Sequence, residues 1–214
     1  MRNPWLSIPA SEYDEHLSHS DVRQREFLDE VFSGVLKQHC PKRIALLGCA
    51  TGGGLGHIDP QQTSKVTAVD LNAQYIETTR SRYSDHLPQL ELVHADLHSC
   101  ELDANAFDLI HSALVLEYVD PVIVLTKIAR WLAAGGVLVI VLQLESAEIE
   151  AVTETGCESL KLLEPLMRLH SPDDIRAIAT KVNLREAKAR RVQLASGKQF
   201  YVGQFTHSQT GVPH

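Results

Sequence analysis

Five glycines, Gly48, Gly52, Gly53, Gly54 and Gly56, crowd residues 46–59, LLGCATGGGLGHID, directly behind an apolar run. Glycine is costly to order and buries no side chain, so such a cluster marks a place where bare backbone must come close to something. One carboxylate follows at Asp70, 22 residues after Gly48, and another at Asp96. A triphosphate loop, G-x-x-x-x-G-K-[ST], needs a lysine and a hydroxyl after its second glycine, where this chain has Gly54 and Leu55. A dinucleotide fingerprint, G-x-G-x-x-G, fits as Gly48, Ala50 and Gly53, with Asp70 spaced to take ribose hydroxyls. That much suits any nucleoside cofactor at the carboxyl edge of a sheet, and an NAD-dependent oxidoreductase stays open at this point.

The run His94-Ala-Asp96-Leu-His98 would point three potential ligands one way if it were a strand. No cysteine–histidine spacing supports a closed metal site, so no metal is expected. The four cysteines, Cys40, Cys49, Cys100 and Cys157, form no C-x-x-C pair and no disulfide framework, as in a reduced, cytoplasmic protein. The formal net charge of −7 argues against nucleic acid as the partner, and Lys188, Arg190 and Arg191 read as a solvated sheet edge. The start of the chain has no apolar signal core, and the longest aliphatic run, VLVIVL at 137–142, is too short to cross a membrane.

These groups need elements to hold them. Near-continuous apolar runs at 43–47, 65–70, 90–95, 107–112 and 136–144 read as strands covered on both faces. Between them, 72–84 reads as a helix with Asn72 as N-cap. Residues 120–136 read as another, with Pro121 in its first turn and a Gly135–Gly136 stop. The alternation predicts an α/β, Rossmann-like, doubly wound and mostly parallel sheet. Residues 11–39 carry one or two amphipathic helices, the chain after Gln143 is polar through Gly156 and reads as a loop plus a short helix, and a helix begins at Ser171-Pro-Asp-Asp. The segment 189–205 reads as a hairpin turning through 195–198, which adds an antiparallel strand pair at the C-terminal end. The chain is expected to be one domain: a helical cap over 1–40, a cofactor-binding core over 41–145, and a helix and hairpin over 146–214.

The series LLGCATGGG, VTAVDLN, HADL, FDLIHSALVLEYVD and LAAGGVLVI, in this order and spacing, resembles the class I S-adenosylmethionine-dependent methyltransferases over residues 43–144. The SPDDIRAIA helix and the hairpin also fit. The resemblance implies S-adenosylmethionine as cofactor. Gly48, Cys49, Ala50 and Gly52 would pass under its methionine part, Asp70 would take the ribose hydroxyls, and Leu71 would lie beside the adenine. Asp96 would meet the adenine amino group with the Leu97 amide facing the ring, and Ser112 to Leu114 would line the methionine portion. S-adenosylmethionine has no phosphate, so its loop needs close backbone approach without a cation. Two carboxylates suit a cofactor that offers hydroxyls and an amine as donors, whereas Asp70 would repel an NADP 2′-phosphate.

Two positions depart from the family pattern. Leu46 stands where many members carry an acid, and Ala50 replaces the middle glycine. Leu46 keeps a non-catalytic, methyltransferase-like binding protein in view. For chemistry at the acceptor, Tyr13 and His16 of the N-terminal segment are candidates, with Gln24 behind them, and so are Glu117 and Tyr118 after the fourth strand. Capping or solvent exposure is the plainer reading of each. The expected function is methyl transfer to a small-molecule acceptor, and the Trp5-Leu6-Ile8 segment leaves a homodimer open.

Overall fold

A computed structural model describes residues 3–146 and 150–208. Seven strands form one sheet in the order β3-β2-β1-β4-β5-β7-β6. They are β1 (Arg43–Leu47), β2 (Lys65–Asp70), β3 (Leu90–His94), β4 (Phe107–Ala113), β5 (Leu132–Gln143), β6 (Leu184–Gln193) and β7 (Gln199–His207). The first five are parallel, and β7 inserts antiparallel between β5 and β6. The helices are α1 (Ala10–Ser18), α2 (Gln24–His39), α3 (Ala73–Tyr83), α4 (Pro121–Trp131) and α5 (Pro172–Lys181).

The strands are apolar on both sides because helices cover both faces. Phe27, Val31, Phe32 and Val35 of α2 and Ile76 of α3 pack with Ile44, Leu46 and Val139 on one face. Leu125, Ile128 and Trp131 of α4 and Ile175 of α5 pack with Leu47, Ile110 and Phe205 on the other. A third, smaller cluster lies off the sheet and contains Ile8, Tyr75, Val152, Leu160 and Leu163, with Trp5, Tyr13, Tyr118 and Met167 against it. The Trp5-Leu6-Ile8 segment thus packs on its own chain.

Helix boundaries follow side-chain caps. Asn72 accepts from the Gln74 N–H, Asp120 from those of Val122 and Ile123, and Ser171 from that of Asp174. One boundary differs from the sequence expectation, because α4 stops at Trp131 rather than at the glycine pair. The Asn105 and Ala106 N–H groups capture the Arg130 and Trp131 carbonyls, and Leu132 pairs with Phe107. Gly135 (φ +78°) and Gly136 therefore lie inside β5 at a ladder irregularity, where a Cβ on Gly136 would meet the Phe107 carbonyl at 2.9 Å. The hairpin is longer than expected, and its exposed edge strand β6 carries Lys188, Arg190 and Arg191. Of the loop and short helix expected after Gln143, residues 147–149 lie outside the described residues, and the described rest through Gly156 is irregular, the first helical turn being Glu158–Leu163.

All four cysteines are free. No described helix is long and apolar enough to cross a membrane. Connections leave β1 and β4 in opposite directions along the sheet, so a crevice opens at their carboxyl ends. Register brings Leu47 level with Val69 and with Ser112, which sets the glycine loop, Asp70 and the end of β4 around that crevice.

Candidate functional site

The crevice deepens into a cavity of about 220 Å³ roofed by the N-terminal segment. Gly48, Ala50, Asp70, Leu71, Asp96, Leu97 and Leu114 line it from the strand ends, as the sequence placed them. Gly48 has φ +64°, and a Cβ there would meet Val115 Cγ2 at 2.5 Å, so only glycine lets the chain turn so close to the β4 loop. Ala50 takes φ +46°, the left-handed conformation that a glycine would adopt at lower cost. It is held there by its N–H donating to Asp70 Oδ2 (2.8 Å) and its carbonyl accepting from Thr79 Oγ1 (2.9 Å).

Asp70 is 9% exposed, and its second oxygen accepts from the Asn72 N–H at 2.8 Å. Burial pushes its carboxyl above the usual value, against the pull of these two N–H groups. Each oxygen keeps a further lone pair for a donor in the cavity. Asp96 is far more open and accepts from the backbone N–H and Nδ1 of His98, at 2.8 and 2.9 Å. The Asp120 N–H donates to Nε2 of the same ring, so the ring proton sits on Nδ1. β3 ends at His94, whose Nε2 sits 3.0 Å from the Leu71 carbonyl, so His94, Asp96 and His98 do not share one strand face. Among the described residues no group of three metal-ligating side chains converges.

Four of the sequence candidates do not line this cavity. Cys49 is turned into the core on the α2 side, where burial holds its thiol well above the usual value. Gly52 packs on α3, where an added Cβ would meet Tyr83 at 2.6 Å. Ser112 is wholly buried and its Oγ has no hydrogen-bond partner. Glu117 is 1% exposed, accepts from the Gln143 N–H at 2.8 Å through Oε1, and has no partner for Oε2. Burial raises its pKa to about 7. It does not cap α4, since Asp120 does.

The roof brings the other candidates together. Tyr118 and Tyr13 line the cavity, and Trp5 meets both edge-on, with ring centroids at 5.0 and 6.1 Å. Tyr13 also lies 5.4 Å from Tyr75, a cavity-lining residue on α3. Burial pushes all three phenols up, which keeps them protonated at neutral pH. Asp14, one residue beyond Tyr13, clamps the roof to the glycine loop: it accepts from Thr51 Oγ1 (2.6 Å), Arg25 (2.6 Å) and Arg82 (2.7 Å). Burial alone would raise the Asp14 pKa, yet these three bonds hold it below the usual value. The Asn72 amide donates to the Trp5 carbonyl at 2.8 Å, and Ser159 donates to Glu12.

Beyond the roof the polarity reverses. His16 is 6% exposed, sits 2.9 Å from Thr155 Oγ1, and is lowered to a pKa of about 4 by burial and by the Lys198 and His19 charges. The Gln24 amide donates to Gln143 Oε1 at 3.3 Å, and the Gln143 amide donates to the Ala151 carbonyl at 2.8 Å. Lys198 Nζ donates to that same carbonyl at 2.9 Å, and burial pulls its pKa down to about 8. Sequence reasoning missed Tyr75, Gln143 and Lys198. Lys198 reads as an ordinary turn residue, but Gln143 ends an apolar strand at its carboxyl edge, a place where a polar side chain faces a crevice.

Leu46 is 4% exposed and borders a separate void of about 70 Å³ with Phe32 and His111. Leu46 packs in the core on the α2 side, while the void beside it is also lined by Arg25, Asp29 and Thr51; the described carboxylates that line the main cavity are Asp70 and Asp96.

Residues 46–140 match the family model described as "Methyltransferase domain". A curated relative, an uncharacterized 37.1 kDa protein in transposon TN4556 of Streptomyces fradiae, is 31% identical over 96 residues, covering 44% of this chain. The match spans only 28% of that relative's length. The chain also superposes on N-methyltransferase NodS from Bradyrhizobium japonicum WM9, solved with S-adenosyl-L-homocysteine. The TM-score is 0.67 at 18% identity, covering 96% of this chain and 98% of that one. A SAM-dependent methyltransferase of Leishmania major gives 0.73 at 12% identity, covering 95% and 80%. Both are likenesses of fold.

Proposed function

We propose, from the premise that residues 46–140 belong to the methyltransferase domain family, that this chain binds S-adenosylmethionine between Gly48 and Leu97 and methylates a small molecule held under its N-terminal roof. The observation that carries this reading is the chemistry of the strand-end groups. Asp70 and Asp96 offer only acceptors to the cavity, and the glycine loop beside them offers backbone without a free cation. The two nearby arginines, Arg25 and Arg82, are both committed to Asp14. A nucleoside with hydroxyls and an amine fits that set, whereas a pyrophosphate finds no charge to meet it.

When bound, the cofactor supplies a methyl group already activated by its sulfonium, so the protein's main task is positioning. Asp70 would accept from the ribose hydroxyls, and Asp96 from the adenine amine, with Leu71 and Leu97 on either side of the ring. Gly48 and Ala50 would bring backbone against the methionine portion. Tyr13, Tyr75 and Tyr118, protonated at neutral pH, would act as walls and donors rather than as bases. His16, neutral at pH 7, would accept a hydrogen bond at the acceptor side. Glu117 would act through the Gln143 backbone that it holds. Cap, core and hairpin would work as one unit, since residues from all three line the cavity. The free cysteines suit a reducing, cytoplasmic setting.

Thermal unfolding with S-adenosylhomocysteine, and with NAD in parallel, tests the reading. A ligand at a hundredfold excess over its Kd stabilises by about 2.7 kcal/mol, or roughly 5–10 °C in a chain of this size. A shift with S-adenosylhomocysteine that shrinks in Asp96→Ala is the expected result. A shift with NAD alone would replace this reading with a dehydrogenase.

A further inference from the structure

Lys198 is the only lysine or arginine that is buried among the described residues, at 2% exposure, and it faces the cavity from the β6–β7 turn. Among the described residues it forms no ion pair: one of its three N–H groups goes to the Ala151 carbonyl, which already accepts from Gln143 Nε2. Gln143 stands on β5 and Asp70 on β2, three strand spacings apart, or roughly 14 Å. This far end carries an ammonium and two amides, where the Asp70 end carries carboxylates. A buried ammonium without a counter-charge costs several kcal/mol; Glu145 lines a neighbouring recess with Lys198, but no described carboxylate pairs with it, and an anionic ligand would offset that cost. The walls between the two ends are aromatic and apolar: Trp5, Tyr13, Tyr118, Leu160 and Leu163.

We infer that the small molecule bound at this end is an aromatic carboxylate, its carboxylate held by Lys198 Nζ beside Gln143 Nε2 and its ring lying under Trp5 and Tyr118. One cation with a neutral amide matches a singly charged planar acid. A phosphate dianion would call for a second cation, and Arg25 and Arg82 are spent on Asp14. That this molecule is the substrate rests on the methyltransferase reading, but the anion site stands on Lys198 and Gln143 alone.

The test is calorimetric titration of a panel of aromatic carboxylates (benzoate, phenylacetate, cinnamate, indole-3-acetate), each against its primary amide. Inorganic phosphate is added as a further arm, and every titration is run with and without S-adenosylhomocysteine. At least one acid is expected to bind tenfold or more tightly than its amide. Lys198→Met should lose that preference and Lys198→Arg should retain part of it, while affinity for S-adenosylhomocysteine stays within twofold in both. If no acid outperforms its amide, if Lys198→Met keeps the preference, or if phosphate binds in place of the acids, the inference is overturned and the methyltransferase reading stands. If the acid preference holds but S-adenosylhomocysteine does not bind, the anion site survives and the methyltransferase reading falls. Should Lys198→Met not fold, the acid–amide comparison on the wild-type chain still decides.

Discussion

The two ends of the cavity are built in opposite ways. At the Asp70 end, the acceptors come from strand ends and tight turns, within a few residues of elements whose ends are fixed by backbone hydrogen bonds. At the Lys198 end, the donors come from α2, β5 and a hairpin turn, joined only through Gln143 and the Ala151 carbonyl. The first end carries a carboxylate whose bonds are met by backbone, and so it is stable before any ligand arrives. Burial disfavours the charge at both ends, but at the second the ammonium is met only by the Ala151 carbonyl, with no pair of backbone groups to oppose that cost. Groups kept against stability are where specificity for a ligand is expected to reside.

The largest effect should separate the two ends by cofactor affinity. Asp70→Asn replaces an acceptor of backbone N–H groups with an amide whose own N–H must face one of them. Affinity for S-adenosylhomocysteine should fall by about 100-fold, or about 3 kcal/mol, the scale of removing a charge-assisted hydrogen bond. An equal loss on changing Gln143→Leu, measured by the same calorimetry, would erase the distinction.

Gly48→Ala comes next, and it acts on stability. The new Cβ meets Val115 at 2.5 Å with φ at +64°. The expected cost is about 2–3 kcal/mol, which chemical denaturation would read. Adding Val115→Ala should recover the steric part and leave about 1 kcal/mol from the left-handed backbone, beyond the cost of Val115→Ala alone. Full recovery would mean that the backbone conformation carries no cost of its own.

Lys198→Met should move stability the other way. Its folded pKa, about 8, lies below its ordinary 10.5, so at neutral pH the unfolded chain holds the proton more readily and the charge costs stability. That cost is full below about pH 8, shrinks as pH rises, and is gone above about 10.5. The variant is expected to be more stable than wild type by about 1–2 kcal/mol at pH 7, with the gain vanishing near pH 11. A gain that does not change with pH would assign the effect to packing.

The smallest effect is expected at Ala50→Gly. Relief of the left-handed alanine, offset by the entropy of a freer unfolded chain, should stabilise by about 0.5 kcal/mol. A destabilised variant would show that the Ala50 methyl contributes packing that outweighs its backbone cost.

The Asp70 end could be read from the chain because local sequence builds it. Asp70 ends a strand, Gly48, Ala50, Leu71, Asp96 and Leu97 each follow one by a few residues, and parallel register carries those strand ends to one edge. The spacing could not tell which neighbours face inward: Cys49 and Gly52, in the same loop, turn to the core and to α3. Nor could it place the end of α4, because Leu132 leaves the helix to pair with a strand that lies 25 residues away.

From sequence alone come the alternating α/β order, the appended hairpin, the strand-end carboxylates and the phosphate-free glycine loop. All of them depend on periodicity, caps and turn residues, which act over a few positions. Only the tertiary structure decided that Lys198, Gln143 and Gln24 share one pocket, that Glu117 is sealed behind Gln143, and that the N-terminal segment closes the roof through Asp14. Those contacts join residues tens of positions apart, and their meeting depends on how the sheet, the hairpin and the cap pack together, which no local pattern encodes.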